Sequence, residues 1–167
     1  GSEATFHAVR LARAHTGRNG VIVMQGGYNG WHNDVAVNVM TPLEAIGERV
    51  SPGEYKKVPL SAGIPDHVLD DVHVVNYNDL ESVRWVMEKY DIAVVITEPI
   101  LQNIGIVKPQ AGYLQGLRDL CTEQGVVLVF DEVKTGFRHA IGGYQSICNV
   151  MPDLSVFGKA IANGYPI

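Results

Sequence analysis

What this chain lacks narrows its reading first. Only two of its 167 residues are cysteine. Cys121 and Cys148 form no C-x-x-C pair and have no adjacent histidine, which argues against a disulfide-stapled scaffold and offers no zinc site. Two such thiols fit a reducing compartment, with Cys121 expected in the core. Basic charge is also sparse: 13 Lys plus Arg stand against 18 Asp plus Glu, for a formal charge of -5. No basic run could neutralise phosphates in series, so no nucleic acid partner is expected. Long apolar runs are missing as well. The longest, Ile92–Ile96 and Val126–Phe130, fall far short of the roughly 20 residues that a spanning helix needs. No membrane partner is expected, and the expected setting is soluble and cytoplasmic. No internal repeat and no Ser/Gly linker divides the chain.

What is present is core material. With 46% of residues apolar and 19% charged, the composition is that of a folded protein. The length suggests about one domain, burying roughly 70% of its unfolded surface without staples. The first residues, Gly1-Ser2-Glu3-Ala4, include no initiator Met, and the last, Pro166-Ile167, follow directly on a motif; a piece of something longer is expected. Periodicity predicts an alternation of helices and strands. Glu3–Thr16 carries Ala4, Ala8, Leu11, Ala12 and His15 at helical spacing, with Ser2 as the expected N-cap and Gly17 as the stop. Val21–Met24 reads as a buried strand. From Gly26 to about Asp71 glycines and prolines predict an irregular stretch, of a length that is usually functional. Val72–Val75 reads as a strand. Asn78 or Asp79 caps a helix whose apolar face is Leu80, Val83, Val86, Met87 and Tyr90. Ile92–Thr97 is a strand, and a helix around Gly112–Gln124 places Leu114, Leu117, Leu120 and Cys121 on one side, with Gly125 at its end. Val126–Phe130 and Leu154–Phe157 complete the strands. These runs are continuously apolar, so the fold class is α/β: a mostly parallel sheet flanked by helices on both faces.

In such a sheet, ligands gather where strands end in loops and helix N-termini face the crevice. Three predicted strands end on ionisable residues: Glu98 after the third, Asp131 after the fourth, and Lys159 shortly after the fifth. Each alone reads more readily as a strand-end charge reaching water, since Asp and Lys after strands are common; three on neighbouring strands would converge on one edge, where they must pair or bind something. Several chemistries fall away. Gly158-Lys159 is followed by Ala160 and lacks the hydroxyl of a P-loop, and Gly26–Gly30 is neither G-x-G-x-x-G nor the start of a helix. No G-x-S-x-G elbow and no H-E-x-x-H is present.

The remaining motifs carry a resemblance. Gly1-Ser2-Glu3-Ala4, Gly27-Tyr28-Asn29-Gly30, Glu98-Pro99 with Asn103 and Gly105, Phe130–Arg138, and Pro152-Asp153-Leu154 leading to Gly158-Lys159 together resemble the class III aminotransferases. These are fold type I enzymes dependent on pyridoxal 5'-phosphate; the branch most resembled is the glutamate-1-semialdehyde 2,1-aminomutase type. The resemblance covers essentially the whole chain, and it is most specific in Phe130–Arg138 and in the segment leading to Lys159.

The resemblance implies a role for each residue. Lys159 would form the Schiff base with the cofactor aldehyde and later carry a proton. Asp131 would pair with the protonated pyridine nitrogen. Val133 would pack on one ring face and Tyr28 on the other. Gly1 and Ser2, at a helix N-terminus, would hold the phosphate, and Glu98 and Asn103 would line the cofactor and substrate side. The family usually has Tyr-His-Gly where this chain has Tyr28-Asn29-Gly30, so no ring is available at that position. Residues 1–167 would form a partial large cofactor-binding domain, without the family's N-terminal segment and C-terminal small domain. The implied reaction is amino-group transfer between an amine or amino acid donor and a carbonyl acceptor in a homodimer, or an intramolecular 2,1-aminomutase reaction. A catalytically silent fragment with only an assembly role is the alternative of another class.

Overall fold

The computed structural model describes residues 1–167. Its centre is a five-stranded, all-parallel sheet: β1 (Gly20–Met24), β2 (Val72–Val75), β3 (Ile92–Thr97), β4 (Val127–Asp131) and β5 (Leu154–Val156), in the order β2-β1-β3-β4-β5. Every residue of β1, β2, β3 and β4 is buried. The continuous apolar runs therefore reflect cover on both faces, as expected.

Helix α1 (Ser2–Thr16) covers one face with Val21, Val23, Ile96, Val127 and Val129, while α3 (Leu80–Lys89) and α4 (Tyr113–Gln124) cover the other with Ile22, Val95, Leu128 and Phe130. Alternate strand residues serve alternate layers, as the pleat requires. Two short helices, α2 (Leu43–Ile46) and α5 (Gln145–Cys148), lie in connections.

Local chemistry explains most boundaries and a few departures. Gly17 and Gly125 adopt left-handed conformations that end α1 and α4 (φ 70° and 63°), which only glycine enters without penalty. Asp79 caps α3, accepting from Ser82 N at 3.0 Å and Ser82 Oγ at 2.9 Å. Ser2 is not an N-cap: Gly1 holds that position, and no side chain caps the helix. The buried stripe of α1 is Thr5, Ala8, Val9 and Ala12, with Leu11 58% exposed, so the helix is rotated from the expected face. Alanines at 8 and 12 let its backbone approach the sheet closely. Tyr90 lies beyond α3, where its hydroxyl donates to Glu54 and its ring meets His73. Strand β4 starts one residue later than expected because Val126 N is spent on the Cys121 carbonyl, and β5 ends at Val156, whereas Phe157 turns toward Phe137.

The stretch after β1 is irregular, as predicted, yet it is largely core. Val35, Ala36, Val37, Tyr55, Ile64 and Leu69 join the cluster on the α1 side, and Tyr55 N donates to Val74 O along the β2 edge. No helix is long and apolar enough to cross a membrane.

Candidate active site

The chain leaves β1 for the outer strand β2 and then returns past β1 to β3. This reversal makes the carboxyl ends of β1 and β3 the switch point of the sheet, where an open α/β fold leaves a crevice. A cavity of about 170 Å³ lies there, lined by Gly1, Ser2, Thr5, Tyr28, Asn29, Gly30, Glu98, Asp131, Val133, Lys134 and Lys159. Seven of the eight residues singled out from sequence (Gly1, Ser2, Tyr28, Glu98, Asp131, Val133 and Lys159) meet in it. Asn103 does not; it sits in the loop after β3, and its Nδ2 is buried without a hydrogen-bond partner.

Asp131 forms the floor. It is 3% exposed, accepts from Asn29 Nδ2 at 2.9 Å and from Val133 N at 3.0 Å, and has no cation of its own. Burial pushes its carboxyl up to about 6; the Asn29 and Val133 bonds and the Lys134 charge oppose that rise, while the Glu98 charge adds to it. Buried acids raised toward neutrality in this way gather at functional sites. Glu132, next in sequence, faces the other way, where its oxygens accept from Thr135 Oγ1, Tyr144 N and Gln145 N and anchor the following loop.

Glu98, 2% exposed, accepts from Tyr28 N at 3.1 Å and Gln102 N at 3.4 Å, and Lys134 Nζ lies 3.4 Å from its Oε2. It therefore fastens together the loops that follow β1, β3 and β4.

The opposite wall is the start of α1. With no side-chain cap, and with Thr5 N the first amide to find a helical carbonyl, the N–H groups of Ser2, Glu3 and Ala4 stay free, which favours an anion. Glycines keep this end open. A Cβ on Gly30 would lie 2.9 Å from Thr5 Oγ1, and one on Gly158 would lie 3.2 Å from Gly1 N. Lys159, exposed at the rim, has φ 47°, a left-handed conformation that costs a lysine on the order of 1 kcal/mol and collects at functional sites.

Four lining residues were given no role from sequence: Thr5, Asn29 as a partner of Asp131, Gly30 and Lys134. Their signal was position alone, since each neighbours or lies one helical turn from a motif residue. No group of three or more His, Cys, Asp or Glu side chains could hold a metal.

Fold and cavity together define an open α/β domain with a polar cavity, walled by the N-terminus of a helix, at the switch point of a parallel sheet. The chain belongs to the class-III aminotransferases, whose family profile matches residues 1–167. It is 43% identical to a glutamate-1-semialdehyde 2,1-aminomutase of Francisella tularensis subsp. holarctica and 41% identical to one of Thermoplasma acidophilum, in each case over 100% of this chain but 37% and 38% of the relative. Among solved structures, an omega-transaminase from Sphaerobacter thermophilus superposes with a TM-score of 0.89 at 33% identity, over 99% of this chain and 37% of that one. A glutamate-1-semialdehyde-aminomutase from Pseudomonas aeruginosa PAO1 superposes with 0.79 at 31% identity, over 98% and 34%. The chain thus spans little more than a third of the length of these relatives.

Proposed function

We propose that the full-length protein binds pyridoxal 5'-phosphate in this cavity and transfers an amino group between an amine or amino acid and a carbonyl compound. Residues 1–167 are read as part of its large cofactor-binding domain. The observation that carries the reading is the buried Asp131 carboxylate on the floor of a cavity that has an uncapped helix N-terminus on one wall and Lys159 at its rim.

The donor set fits that group. The glycine-lined opening at α1 leaves room and free N–H groups for a phosphate ester, with the unpaired Ser2 hydroxyl beside them. Asp131 would hold the proton on the ring nitrogen, and the ion pair would draw the Asp131 carboxyl back down from about 6. Val133, whose backbone N–H donates to Asp131, would place its methyl groups on one ring face, and Tyr28 would cover the other. The bound cofactor supplies an electron sink for a carbanion formed next to an amine. Lys159 Nζ would accept the proton from the amine-bearing substrate carbon and pass it to the cofactor carbon on the other side of the nitrogen.

The curated relatives favour the 2,1-aminomutase form and the omega-transaminase superposition favours intermolecular transfer; both share this proton shuttle. A homodimer in the cytoplasm, where both thiols would remain free, completes the reading.

Borohydride reduction of the full-length protein with pyridoxal phosphate should fix the cofactor on Lys159, as peptide mapping would show. The same adduct from Lys159→Ala, or an adduct confined to Lys134, would overturn the assignment.

A further inference from the structure

Two ammonium groups line the cavity, and the proposed function uses only one. The second, on Lys134, follows Val133 out of β4 and reaches back across the carboxyl ends of the strands to Glu98. Glu98 is almost fully buried and carries the bond that places Tyr28. A buried carboxylate that loses its only cation leaves an uncompensated charge in a medium that screens it poorly. That charge would fall on the cavity, which must also take an anionic ester and hold Asp131 ionised.

We propose that Lys134 is a positioning residue for cofactor binding: it acts through Glu98, neutralising that carboxylate so that Tyr28 stays in place and Asp131 stays ionised to hold the proton on the ring nitrogen. This rests on the pyridoxal phosphate reading above. The titratable and charged groups that face the Glu98–Lys134 pair are Asp131 from β4, Lys159 from the turn after β5, Tyr28 from the loop after β1, and Tyr77 from the loop after β2, whose hydroxyl donates to Pro99 O at 2.6 Å. None of these is a cation that could replace Lys134 except Lys159, which the proposed chemistry occupies. The electrostatics agree: the Lys134 charge lowers the Asp131 carboxyl and the Glu98 charge raises it.

The test is a double-mutant cycle in the full-length protein, read as the dissociation constant of pyridoxal phosphate by fluorescence across pH. Lys134→Met should weaken binding about tenfold and move the acid limb of the binding curve to higher pH, since contacts of this kind couple strongly. In a Glu98→Gln background the same change should cost less than about twofold, because no carboxylate is left to neutralise. Lys134→Arg, which keeps the charge, should retain wild-type affinity and an unmoved pH limb. Equal losses in both backgrounds would mean that Lys134 touches the ligand directly, and a loss with Lys134→Arg equal to that with Lys134→Met would mean that shape rather than charge matters; either result overturns the proposal. Should the Met variant fail to fold, the Arg variant and a Lys134→Gln variant carry the same comparison. A wild-type protein that binds no pyridoxal phosphate would instead overturn the functional reading itself.

Discussion

Replacing Asp131 with asparagine should stabilise the cofactor-free protein at neutral pH while removing its hold on the cofactor. Burial raises this carboxyl from its ordinary 3.8 to about 6. Between those values the unfolded chain has already released the proton that the folded protein still holds. Stability therefore falls as pH rises through that window and is level above it. At 1.36 kcal/mol per pH unit, the ionised side chain costs about 3 kcal/mol at neutral pH. The amide avoids this. Its oxygen can still accept from Val133 N, and its NH2 can meet Asn29, whose own amide need only turn over to offer oxygen. Urea unfolding of the full-length apoprotein should show Asp131→Asn more stable than wild type by about 2 to 3 kcal/mol at about pH 8, with the gap closing toward zero near about pH 4. Saturating pyridoxal phosphate should reverse the order, because only the carboxylate gains a cationic partner. A variant less stable than wild type at about pH 8, or a gap that does not change with pH, would refute the claim that an uncompensated buried charge sits at the floor of the cavity.

Other tests probe the frame around it. A Cβ on Gly158 would press on Gly1 N at 3.2 Å and Val133 Cγ1 at 3.3 Å; Gly158→Ala should displace the Lys159 turn from α1 and, at an overpacking cost of about 1 to 3 kcal/mol, weaken cofactor binding measurably in an equilibrium titration. Burial pushes the Cys121 thiol up to about 12, and burial also raises Cys148, which is less enclosed. Iodoacetamide under native conditions should therefore label Cys148 first and Cys121 only as the protein unfolds, and mass spectrometry showing rapid Cys121 labelling would contradict the packing of α4.

Much of this was legible in the residues because the signals were strong and local. Ile92–Ile96 is apolar at every position, and with Thr97 it is β3 to the residue; Asp79 precedes a helical run and is its cap. Glu98, Asp131 and Lys159 could be assigned to one edge because a parallel sheet sends every strand's end the same way. What stayed hidden depended on tertiary contacts. The rotation of α1 onto Thr5 and Val9 is set by how close its alanines let it lie to the sheet. The Asn29–Asp131 bond and the Lys134–Glu98 pair join segments far apart in sequence. Asn103 looked equivalent to Glu98 by proximity in the motif, yet the loop between Leu101 and Val107, closed by paired backbone bonds, keeps it out of the cavity.

The meeting of Gly1 with Gly158 bears on how the protein is made. One wall of the cavity belongs to the first helical turn and the rim to the turn after the last strand. Contacts so distant in sequence carry a loop-closure cost that local contacts escape. A ligand held between them binds the folded state and not the unfolded one. At a hundredfold excess over its dissociation constant it adds about 2.7 kcal/mol to the stability of that state alone. The steady level of the protein in a cell should accordingly rise and fall with the supply of its cofactor, even where the rate of synthesis is constant.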